Sequence, residues 1–470
     1  MTRGRLAVHA HFYQPSRANP WTGEVPRDPS AAPFHDWNER VTAESYRPNA
    51  ARGNLAGISW NLGPTIASWL ETADPTTYAG FVAAADHAIA QAFHHSILPL
   101  ASAADRLTEV RWGIRDFELR FGRRPHGMWL PETAVDLPTL RVLANEGVTF
   151  TILAPWQAAE SGLDTRHPYR VDVGAGKSIV VVFYDAGLSA AVSFEPDATS
   201  DANRFAAEWV GPRLAQAGAS PFESPLAVIA TDGELYGHHQ QFRDLFLEHL
   251  VTSDGGSAQR PFDVVALADV VAGEPRGGFP RVRIVERTSW SCHHGVARWS
   301  AECPDAPDGR WKGPLRAALE RLAAGIDVAT EAAFGRLAPG VDPWELRDDY
   351  VEVAVGRESV ETFVTSRLEP ANAARDAAVN LRDVLEAQRW RLAMFASDGW
   401  YWDDPIRPET RQNLRAAARA ARLIDALAKT ALERRLLADL ALFRSPSTGV
   451  DGREIYLDAI AEIGQPPPSL

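Results

Sequence analysis

Short apolar runs alternate with helix-length segments over the first 300 residues, and this alternation constrains the fold more than any other feature. The apolar runs that predict strands are residues 5–10, 126–129, 150–154, 178–184, 226–231 and 263–266. The segments that predict helices are residues 86–93, 104–121, 137–146, 203–215 and 241–250. Strands and helices that alternate in this way form parallel β-α-β units. The sequence therefore predicts an α/β fold whose parallel sheet is open or closed into a barrel.

The pattern changes after Trp311, where apolar residues recur at helical spacing. The apolar positions of the first helical stretch are Leu315, Leu319, Leu322 and Ile326. A second stretch, residues 408–443, is rich in Ala, Leu and Arg. We therefore expect two domains, a strand–helix domain over residues 1–310 and a mostly helical domain over residues 311–470.

A long segment, residues 19–49, separates the first predicted strand from the elements that follow. A connection of this length is usually either functional or disordered. The segment contains the aromatic residues Trp21, Phe34, Trp37 and Tyr46. Because aromatic side chains favour packing, we expect this insertion to be ordered.

The chain of 470 residues is acidic, with 48 Lys and Arg against 61 Asp and Glu and a net charge of −13. This balance argues against a nucleic-acid partner, which needs a basic surface, and against electrostatic binding to an anionic membrane. No apolar run is long enough to predict a transmembrane helix, and the N-terminal residues are typical of a strand rather than a signal peptide. With only two cysteines, we expect a cytoplasmic protein without a disulfide framework.

Glu132 follows a predicted strand that ends at Trp129, and a Pro-Glu turn presents its carboxylate. In barrel enzymes the carboxyl ends of the strands carry the catalytic side chains. An exposed glutamate at a helix start, favoured by the helix dipole, would explain the same pattern structurally. Glu132 is therefore a candidate catalytic carboxylate with a structural alternative.

A denser group of ionisable residues follows the apolar run 226–231. Asp232, Glu234, His238 and His239 lie within eight residues, and the glycines between them permit tight backbone turns. An aspartate that caps a helix is the structural alternative. Two carboxylates from different strand ends can act as nucleophile and acid/base in a retaining glycosidase. Asp232 and Glu132 are thus a candidate catalytic pair.

Histidines mark two further segments. The first strand ends in HAHFYQP, residues 9–15, and alternate strand residues point to the same side, so His9 and His11 share a face. The alternative is an ordinary pair of core or surface histidines. A predicted helix places on one face His87, Gln91 and His95.

The last cluster lies between Ser289 and Trp311. Its potential metal ligands are Cys292, His293, His294 and Cys303. Their spacing matches no standard zinc motif, in which cysteines occur as closely spaced pairs. We favour an aromatic loop that lines a cleft over a metal site. The 15 tryptophans of the chain suit stacking on sugar rings, although core packing uses tryptophan too.

Together these segments resemble glycoside hydrolase family 57, whose members include α-amylases, branching enzymes and 4-α-glucanotransferases. The family's first motif is a His-x-His or His-Gln-Pro strand end, matched by His9, His11 and Gln14. Its second has a histidine before a strand ending in Pro-Leu, matched by residues 95–100. Its third is Trp-x-Pro-Glu, matched by Trp129 and Glu132 with Thr133 in place of the usual Cys or Ser.

The resemblance continues through three later motifs. Asp232, Glu234 and His238 match an Asp-x-Glu-Leu-Phe-Gly-His pattern, although His239 replaces the aromatic residue that often follows. Ser289 and Trp290 match a Ser-Trp pair. A Ser-Asp-Trp element of the helical region is matched, with one residue inserted, at residues 397–400. The chain is most similar to a little-characterised branch with a C-terminal domain of unknown function.

The resemblance implies an incomplete (β/α)7 barrel followed by a helical domain that contributes to the active-site cleft. It implies a retaining α-1,4-glucan hydrolase or transglycosylase in which Glu132 is the nucleophile and Asp232 the general acid/base. Neither a metal nor a cofactor is implied. The substrate-binding residues it implies are His9, His11, Gln14, His95, Trp129, Glu234, His238, Trp290, Asp398 and Trp400, with Trp129, Trp290 and Trp400 as stacking platforms.

Two other functions are compatible with the same residues. In a metal-dependent polysaccharide deacetylase, His9, His11 and Asp232 would bind the metal and Glu132 or Glu234 would act as base. A non-catalytic glucan-binding protein is the other alternative. The sequence leaves open whether the acceptor is water or a sugar hydroxyl, what the insertion does and how the chain oligomerises.

Overall fold

The computed structural model describes residues 3–215, 224–252, 260, 262–273, 278–367 and 375–468. The chain divides into two compact units. The first unit consists of residues 1–14, 27–92 and 117–291, and the second consists of residues 15–26, 93–116 and 292–470. The second unit thus begins before the expected boundary at residue 310 and includes two segments of the N-terminal half. Whether it contributes to a cleft stays a prediction.

Nine strands occur in the described residues, all of them in the first unit. They are β1 (Gly4–Phe12), β2 (Ser59–Leu62), β3 (Ala90–Gln91), β4 (Met128–Trp129), β5 (Phe150–Leu153), β6 (Tyr169–Gly174), β7 (Lys177–Phe183), β8 (Leu226–Asp232) and β9 (Phe262–Val264). All six predicted strands are confirmed. The three strands that the sequence did not predict are the short β2 and β3 and the hairpin strand β6.

The strands are parallel except for β6. Strand β1 pairs in parallel with β2, β8 and β9, β3 pairs with β4, and β5 pairs with β7, whereas β6 is antiparallel to β7. Single parallel bridges join Trp60 to Ala88 and Gly127 to Phe150. Seven of the parallel strands therefore follow one another in the order β8-β1-β2-β3-β4-β5-β7, with β9 paired to the start of β1, and their carboxyl ends lie at the same edge.

Alternate residues of these strands form one buried cluster. It contains Phe150, Ile152 and Ala154 from β5 and its end, and Leu226, Val228 and Ala230 from β8. Ala7 of β1 and Trp129 of β4 belong to the same cluster. Since every second side chain of a strand points to the same face, the strands share one apolar interior.

The α-helices are α1 (Trp37–Val41), α2 (Arg47–Ala51), α3 (Pro64–Ala73), α4 (Pro75–Ala83), α5 (Ala103–Phe121), α6 (Leu137–Asn145), α7 (Ala186–Phe194), α8 (Ala202–Phe205), α9 (Gly211–Ala215), α10 (Arg243–Val251), α11 (Leu267–Ala272), α12 (Lys312–Leu337), α13 (Pro343–Asp349), α14 (Val351–Ala354), α15 (Val360–Arg367), α16 (Arg375–Ala393), α17 (Asp398–Tyr401), α18 (Pro408–Ala428), α19 (Leu432–Leu440) and α20 (Gly452–Ala461). The second unit is helical, as expected. None of the described helices is both long and apolar enough to span a bilayer.

The predicted helix over residues 86–93 is wrong. A single 3-10 turn, Ala85–His87, leads directly into β3. Tertiary pairing overrides the helical pattern here, because Ala88 bridges Trp60 and β3 pairs with β4. His87, Gln91 and His95 therefore do not share a helical face.

Buried ion pairs organise the second unit. Asp105 on α5 accepts from Arg347 at 3.1 Å and from Arg391 at 2.6 Å. Arg391 also pairs with Asp327 on α12 at 2.7 Å. Burial of these charges is tolerable because each has a partner, and the network joins four helices of the unit. The predicted apolar stripe of α12 is confirmed by the burial of Leu315, Leu319, Leu322 and Ile326.

Candidate functional site

Glu132 lies in a strained turn directly after β4. It has φ 58° and ψ 20°, and the next residue, Thr133, has φ 47°. Residues with side chains rarely adopt this left-handed conformation, and they keep it only where the surroundings impose it. The explanation as a helix-start glutamate does not apply, because only the short turn Pro131–Thr133 contains it. The turn aims one carboxylate out of the strand end.

Two donors hold the Glu132 carboxylate. The Trp290 indole Nε1 donates to Oε2 at 3.1 Å, and the Ser291 hydroxyl donates to the same oxygen at 2.5 Å. The Trp290 backbone N–H donates to the Glu132 carbonyl at 3.0 Å. Hydrogen bonds to a charged acceptor are stronger than neutral ones and stabilise the negative charge. The side chain remains partly exposed, so the carboxylate is oriented and accessible.

The buried side chain of Gln157 holds the same turn through two hydrogen bonds to Thr133. The Gln157 amide donates to the Thr133 carbonyl at 2.8 Å, and the Thr133 hydroxyl donates to the Gln157 carbonyl oxygen at 2.9 Å. Gln157 and Thr133 are both fully buried. Thr133, the departure from the family pattern, therefore has a structural role in holding the nucleophile candidate.

Asp232 lies at the carboxyl end of β8. It is the register partner of His11 on β1. Its side chain makes no capping hydrogen bond, so the structural explanation as a helix cap fails. The side chain is exposed, yet enough protein surrounds the carboxyl to desolvate it. This burial, followed by the charge of Glu234, raises the pKa of Asp232 from 3.8 to about 7.

The neighbouring charge that contributes to this rise is that of Glu234. Glu234 is buried and accepts hydrogen bonds at Oε1 from the Tyr46 hydroxyl, the Tyr13 N–H at 3.1 Å and the Gln14 amide at 3.4 Å. Burial raises the pKa of Glu234 to about 7 although these bonds lower it. Gln14 and Glu234 are therefore in direct contact.

The first-strand histidines form a stacked group with Trp129. The Trp129 ring stacks on His9 at 4.9 Å and on His11 at 5.0 Å between ring centroids. His9 Nε2 and His11 Nδ1 both meet the Asn61 amide, at 3.0 Å and 2.9 Å. Asn61 also donates to Gln91 Oε1 at 2.8 Å. Burial lowers the pKa of each histidine to about 3 although the Asn61 hydrogen bond raises it, so both rings are neutral at physiological pH.

The expected stacking role is wrong for two of the three tryptophans. Trp129 and Trp400 have no exposed surface, because their neighbours in the fold cover them and no face remains for a sugar. Trp290 is only partly buried and packs edge-on against Trp129 at 5.0 Å. His9 is also fully buried, so direct contact with a sugar hydroxyl does not fit this structure.

The insertion supplies partners that order His238. Glu44 and the His238 Nδ1 are hydrogen-bonded at 2.5 Å, and the Trp37 ring meets His238 edge-on at 6.0 Å. Gly237 has φ 138°, and a Cβ atom there would lie 2.1 Å from the Glu44 carbonyl oxygen. The glycine of this motif is thus required by close backbone approach. The described insertion is ordered, as expected from its aromatic residues.

Three of the expected substrate-binding residues belong to the second unit. His95 Nδ1 and the Ser397 hydroxyl are 2.7 Å apart, and Asp398 and Trp400 lie on α17. The Trp400 ring lies 4.6 Å from the Arg316 guanidinium. Their contribution to substrate binding stays a prediction.

Within the described part of the chain, His9, His11 and Asp232 do not form a group of metal-ligand atoms. The group that does come together is Cys292, His294 and Cys303 in the second unit. The ligand set required by the deacetylase alternative is therefore not assembled.

Sequence reasoning missed several residues of the site. They are Tyr13, Tyr46, Asn61, Gln157 and Ser291. Ser291 directly follows the Ser-Trp motif, and Tyr46 was noted only as an aromatic of the insertion. Asn61 lies on β2, a strand too short for its pattern to be recognised.

Contacts link the two candidate carboxylates. Glu132 is bonded to Trp290, Trp290 packs on Trp129, and Trp129 stacks on His11, the register partner of Asp232. The fold and site thus define an α/β protein with a carboxylate pair at the carboxyl edge of parallel strands.

Comparison with known families agrees with this description. The sequence profile described as "Glycosyl hydrolase family 57" matches residues 88–262, and the profile "Domain of unknown function (DUF3536)" matches residues 308–464. The strand–helix half of the chain is thus similar to glycosyl hydrolase family 57 over residues 88–262. No curated protein matches it.

Solved structures share the fold at low identity. One is the exo-type maltose-forming amylase from Pyrococcus sp. ST04, with a TM-score of 0.73, 13% identity, and 97% of this chain and 88% of that chain covered. Another is the GH57-type branching enzyme from Pyrococcus horikoshii, with a TM-score of 0.60, 14% identity and coverage of 100% and 98%. A third is the α-amylase AmyC from Thermotoga maritima, with a TM-score of 0.60, 12% identity and coverage of 97% and 99%. At such identities the likeness shows the fold alone.

Proposed function

We propose that the protein is a retaining glycoside hydrolase or transglycosylase that acts on α-1,4-glucans. The observation that carries the proposal is the contrast between two carboxyls at one edge of the parallel strands. Glu132 has a carboxylate oxygen that accepts from two donors, an arrangement that favours its ionised form, whereas Asp232 has a pKa raised to about 7. A retaining glycosidase needs one ionised and one protonated carboxyl. We further propose that the parallel strands form a (β/α)7 barrel.

In the first step Glu132 attacks the anomeric carbon of the glucan. The glycosidic C–O bond breaks as the Glu132 carboxylate forms a covalent ester with that carbon. Asp232 donates its proton to the departing glycosidic oxygen and becomes a carboxylate. Trp290 and Ser291 keep the Glu132 oxygen aligned, which reduces the entropy lost in reaching the transition state.

In the second step Asp232 acts as the base. Its carboxylate removes a proton from the acceptor hydroxyl, the acceptor oxygen attacks the anomeric carbon, and the bond to Glu132 breaks. Two inversions give a product with the α configuration of the substrate. The His9 and His11 rings, which Asn61 holds in place, are neutral. They therefore place no positive charge beside Asp232 that would lower its pKa.

The acceptor decides the type of reaction. Water gives an amylase, a 4-hydroxyl of another chain gives a disproportionating enzyme, and a 6-hydroxyl gives a branching enzyme. The α-glucan substrate class is proposed from the family and from the printed names of the amylase and branching enzyme that share the fold. A cytoplasmic location likewise stays a prediction.

Incubation of the full chain with amylose and maltooligosaccharides tests the proposal. Chain lengths, reducing ends and branch points together separate hydrolysis, disproportionation and branching. Glu132→Gln and Asp232→Asn should each lower the rate at least about 1,000-fold, because each removes a group that reacts. The matched controls are Glu195→Gln and Asp197→Asn, which alter exposed carboxyls of the same unit and should keep wild-type rates.

Two results would contradict the proposal. If Glu132→Gln kept full activity on a glucan that the wild type cleaves, Glu132 would not be the nucleophile. If proton NMR showed that the first product formed has the β configuration, the double-displacement mechanism would be wrong. Binding to glycogen without turnover, unchanged in Glu132→Gln, would favour the glucan-binding alternative, and loss of activity on chelation of a stoichiometric metal would favour the deacetylase.

A further inference from the structure

The two cysteines of the chain lie side by side in the second unit. Cys292 Sγ and Cys303 Sγ are 3.8 Å apart, and both residues are buried, with 3% and 4% exposure. His294 completes a group in which one ligand atom from each residue lies within 4.8 Å of the others. The loop thus brings two thiols and an imidazole together although their spacing in sequence fits no standard zinc motif.

The sulfur separation suits a shared metal ion better than a disulfide. A disulfide requires about 2.05 Å between the sulfur atoms. Two thiolates bound to zinc at about 2.3 Å with tetrahedral geometry lie about 3.8 Å apart. The observed distance therefore equals that of two zinc ligands. Thiolate and imidazole are also the ligands that zinc takes in structural sites.

An outer carboxylate orients the histidine. Asp305 Oδ2 lies 3.2 Å from His294 Nδ1 and accepts the His293 N–H at 2.7 Å. A proton on Nδ1 leaves the Nε2 lone pair of His294 available for a metal. Metal-binding histidines commonly donate their second N–H to a carboxylate in this way. Asp305 thus supplies the hydrogen-bond partner that orients the metal-binding histidine.

A buried ammonium lies close to the two thiols. Lys312 is completely buried, its Nζ has no hydrogen-bond partner, and its electrostatic neighbours include Asp403 as well as Cys292 and Cys303. A buried positive charge is costly unless nearby negative charge offsets it. Metal binding would convert both thiols to thiolates, with two protons released to solvent. These thiolates would give Lys312 the negative charge that neutral thiols cannot provide.

We propose that Cys292, Cys303 and His294 bind one zinc ion, with water in the fourth position and Asp305 as the outer partner of His294. The site would fix the loop that carries Arg298. Arg298 donates to the Tyr401 carbonyl at 3.1 Å and to the Asp305 carbonyl at 2.9 Å. The ion thereby stabilises the attachment of the loop to α17. The proposal does not depend on the proposed glucan chemistry, because its tests measure metal binding.

Cobalt binding to the reduced full-length protein tests the site. The metal-free protein, prepared with chelator and a thiol reductant, is titrated with Co²⁺ and then with Zn²⁺. One equivalent of Co²⁺ should produce thiolate-to-cobalt charge-transfer absorption in the near ultraviolet and visible bands typical of tetrahedral cobalt. One equivalent of Zn²⁺ should then remove both signals. A reduced protein that gives no such absorption would overturn the proposal, as would a Cys292–Cys303 disulfide that forms without metal uptake.

Three variants assign the ligands. Cys303→Ser should abolish the charge-transfer absorption of the bound state, and His294→Ala, which alters an exposed residue, should weaken Co²⁺ binding at least about 100-fold. Asp305→Asn should weaken it about 10- to 100-fold, as expected for an outer partner. His293→Ala is the matched control, because its side chain is 89% exposed and contacts only the outer Asp305, at 3.4 Å, without belonging to the ligand group; it should bind within about twofold of wild type. Equal affinity for His294→Ala and His293→Ala would refute the assignment of His294.

Discussion

Replacement of Glu234 by glutamine isolates one cause of the raised pKa of Asp232. The pKa of Asp232 rises from 3.8 to about 7, and the two causes in order of size are burial and the charge of Glu234. Glutamine keeps an oxygen where Glu234 accepts from Tyr46 and from the Tyr13 N–H. The substitution therefore removes the charge while preserving the acceptor.

The size of the effect follows from the order of the causes. The rise from 3.8 to about 7 spans about 3 pH units. Because burial is the larger cause, the charge of Glu234 accounts for less than half of that rise, which is at most about 1.5 pH units. In Glu234→Gln the pKa of Asp232 should fall by this amount. The two carboxyls titrate as a pair in the wild type, so the pH profile reports apparent values of the pair.

The assay is the pH dependence of kcat/KM on a maltooligosaccharide. Wild-type activity should decline as the pH rises through about 7, because the general acid loses its proton. In Glu234→Gln the alkaline decline should move to lower pH, by at most about 1.5 units, whatever the change in the maximal rate. Glu195→Gln, an exposed substitution, should leave the decline in place. An unchanged decline, or one at higher pH, would refute the coupling between Glu234 and Asp232.

Three further variants test the pair and its surroundings. Ser291→Ala removes a charge-assisted hydrogen bond of 2.5 Å to Glu132, worth about 1.5–3 kcal/mol, and should lower kcat/KM about 10- to 150-fold in steady-state assays. Trp129→Ala removes a fully buried ring and should lower the free energy of unfolding of the first unit by about 3–5 kcal/mol in denaturant titrations. His9 and His11 have lowered pKa values, so their contribution to the free energy of unfolding is complete above pH 6.5 and is lost as the pH falls towards 3. Asp232 and Glu234 have raised pKa values and act in the opposite direction: they increase the free energy of unfolding as the pH falls from 7 to about 4. The double variant Asp232→Asn, Glu234→Gln should therefore lose stability more steeply than wild type between pH 6.5 and 4.5, and an identical slope would contradict this opposition.

The strand–helix alternation predicted the longer strands because their burial is nearly continuous. β1, β5, β7 and β8 are apolar runs bounded by polar turns, which is the pattern of strands covered on both faces. Of the two-residue strands β3 and β4 only β4 was predicted, and neither has a periodicity of its own. Their pairing depends on neighbours such as Trp60, which are distant in sequence. The false helix over residues 86–93 arose where such long-range pairing decided the local structure.

The candidate site was predictable where chemistry depends on residues that follow strands. Glu132 and Asp232 were identified in this way, and both lie at the predicted strand ends. Tyr46 and Gln157 were not, because nothing in a local pattern marks a tyrosine or glutamine whose partner is more than 20 residues away. The inference that tryptophans near the motifs stack on sugars was wrong for Trp129, since the sequence does not show that two histidines occupy its face.

Glu132 and Asp232 differ in their tendency to be ionised because of the groups that face each carboxyl, and not because one is a glutamate and the other an aspartate. Around Glu132 the chain places donors, Trp290 Nε1 and the Ser291 hydroxyl, and both favour negative charge. Around Asp232 it places a second carboxyl, and it keeps the register partner of Asp232, His11, neutral by burial. The nearby carboxyl and the absence of charge on His11 both favour the protonated form of Asp232. A nucleophile and an acid can therefore coexist at neutral pH on one strand edge, which is the condition that double displacement imposes on a pair of carboxyls.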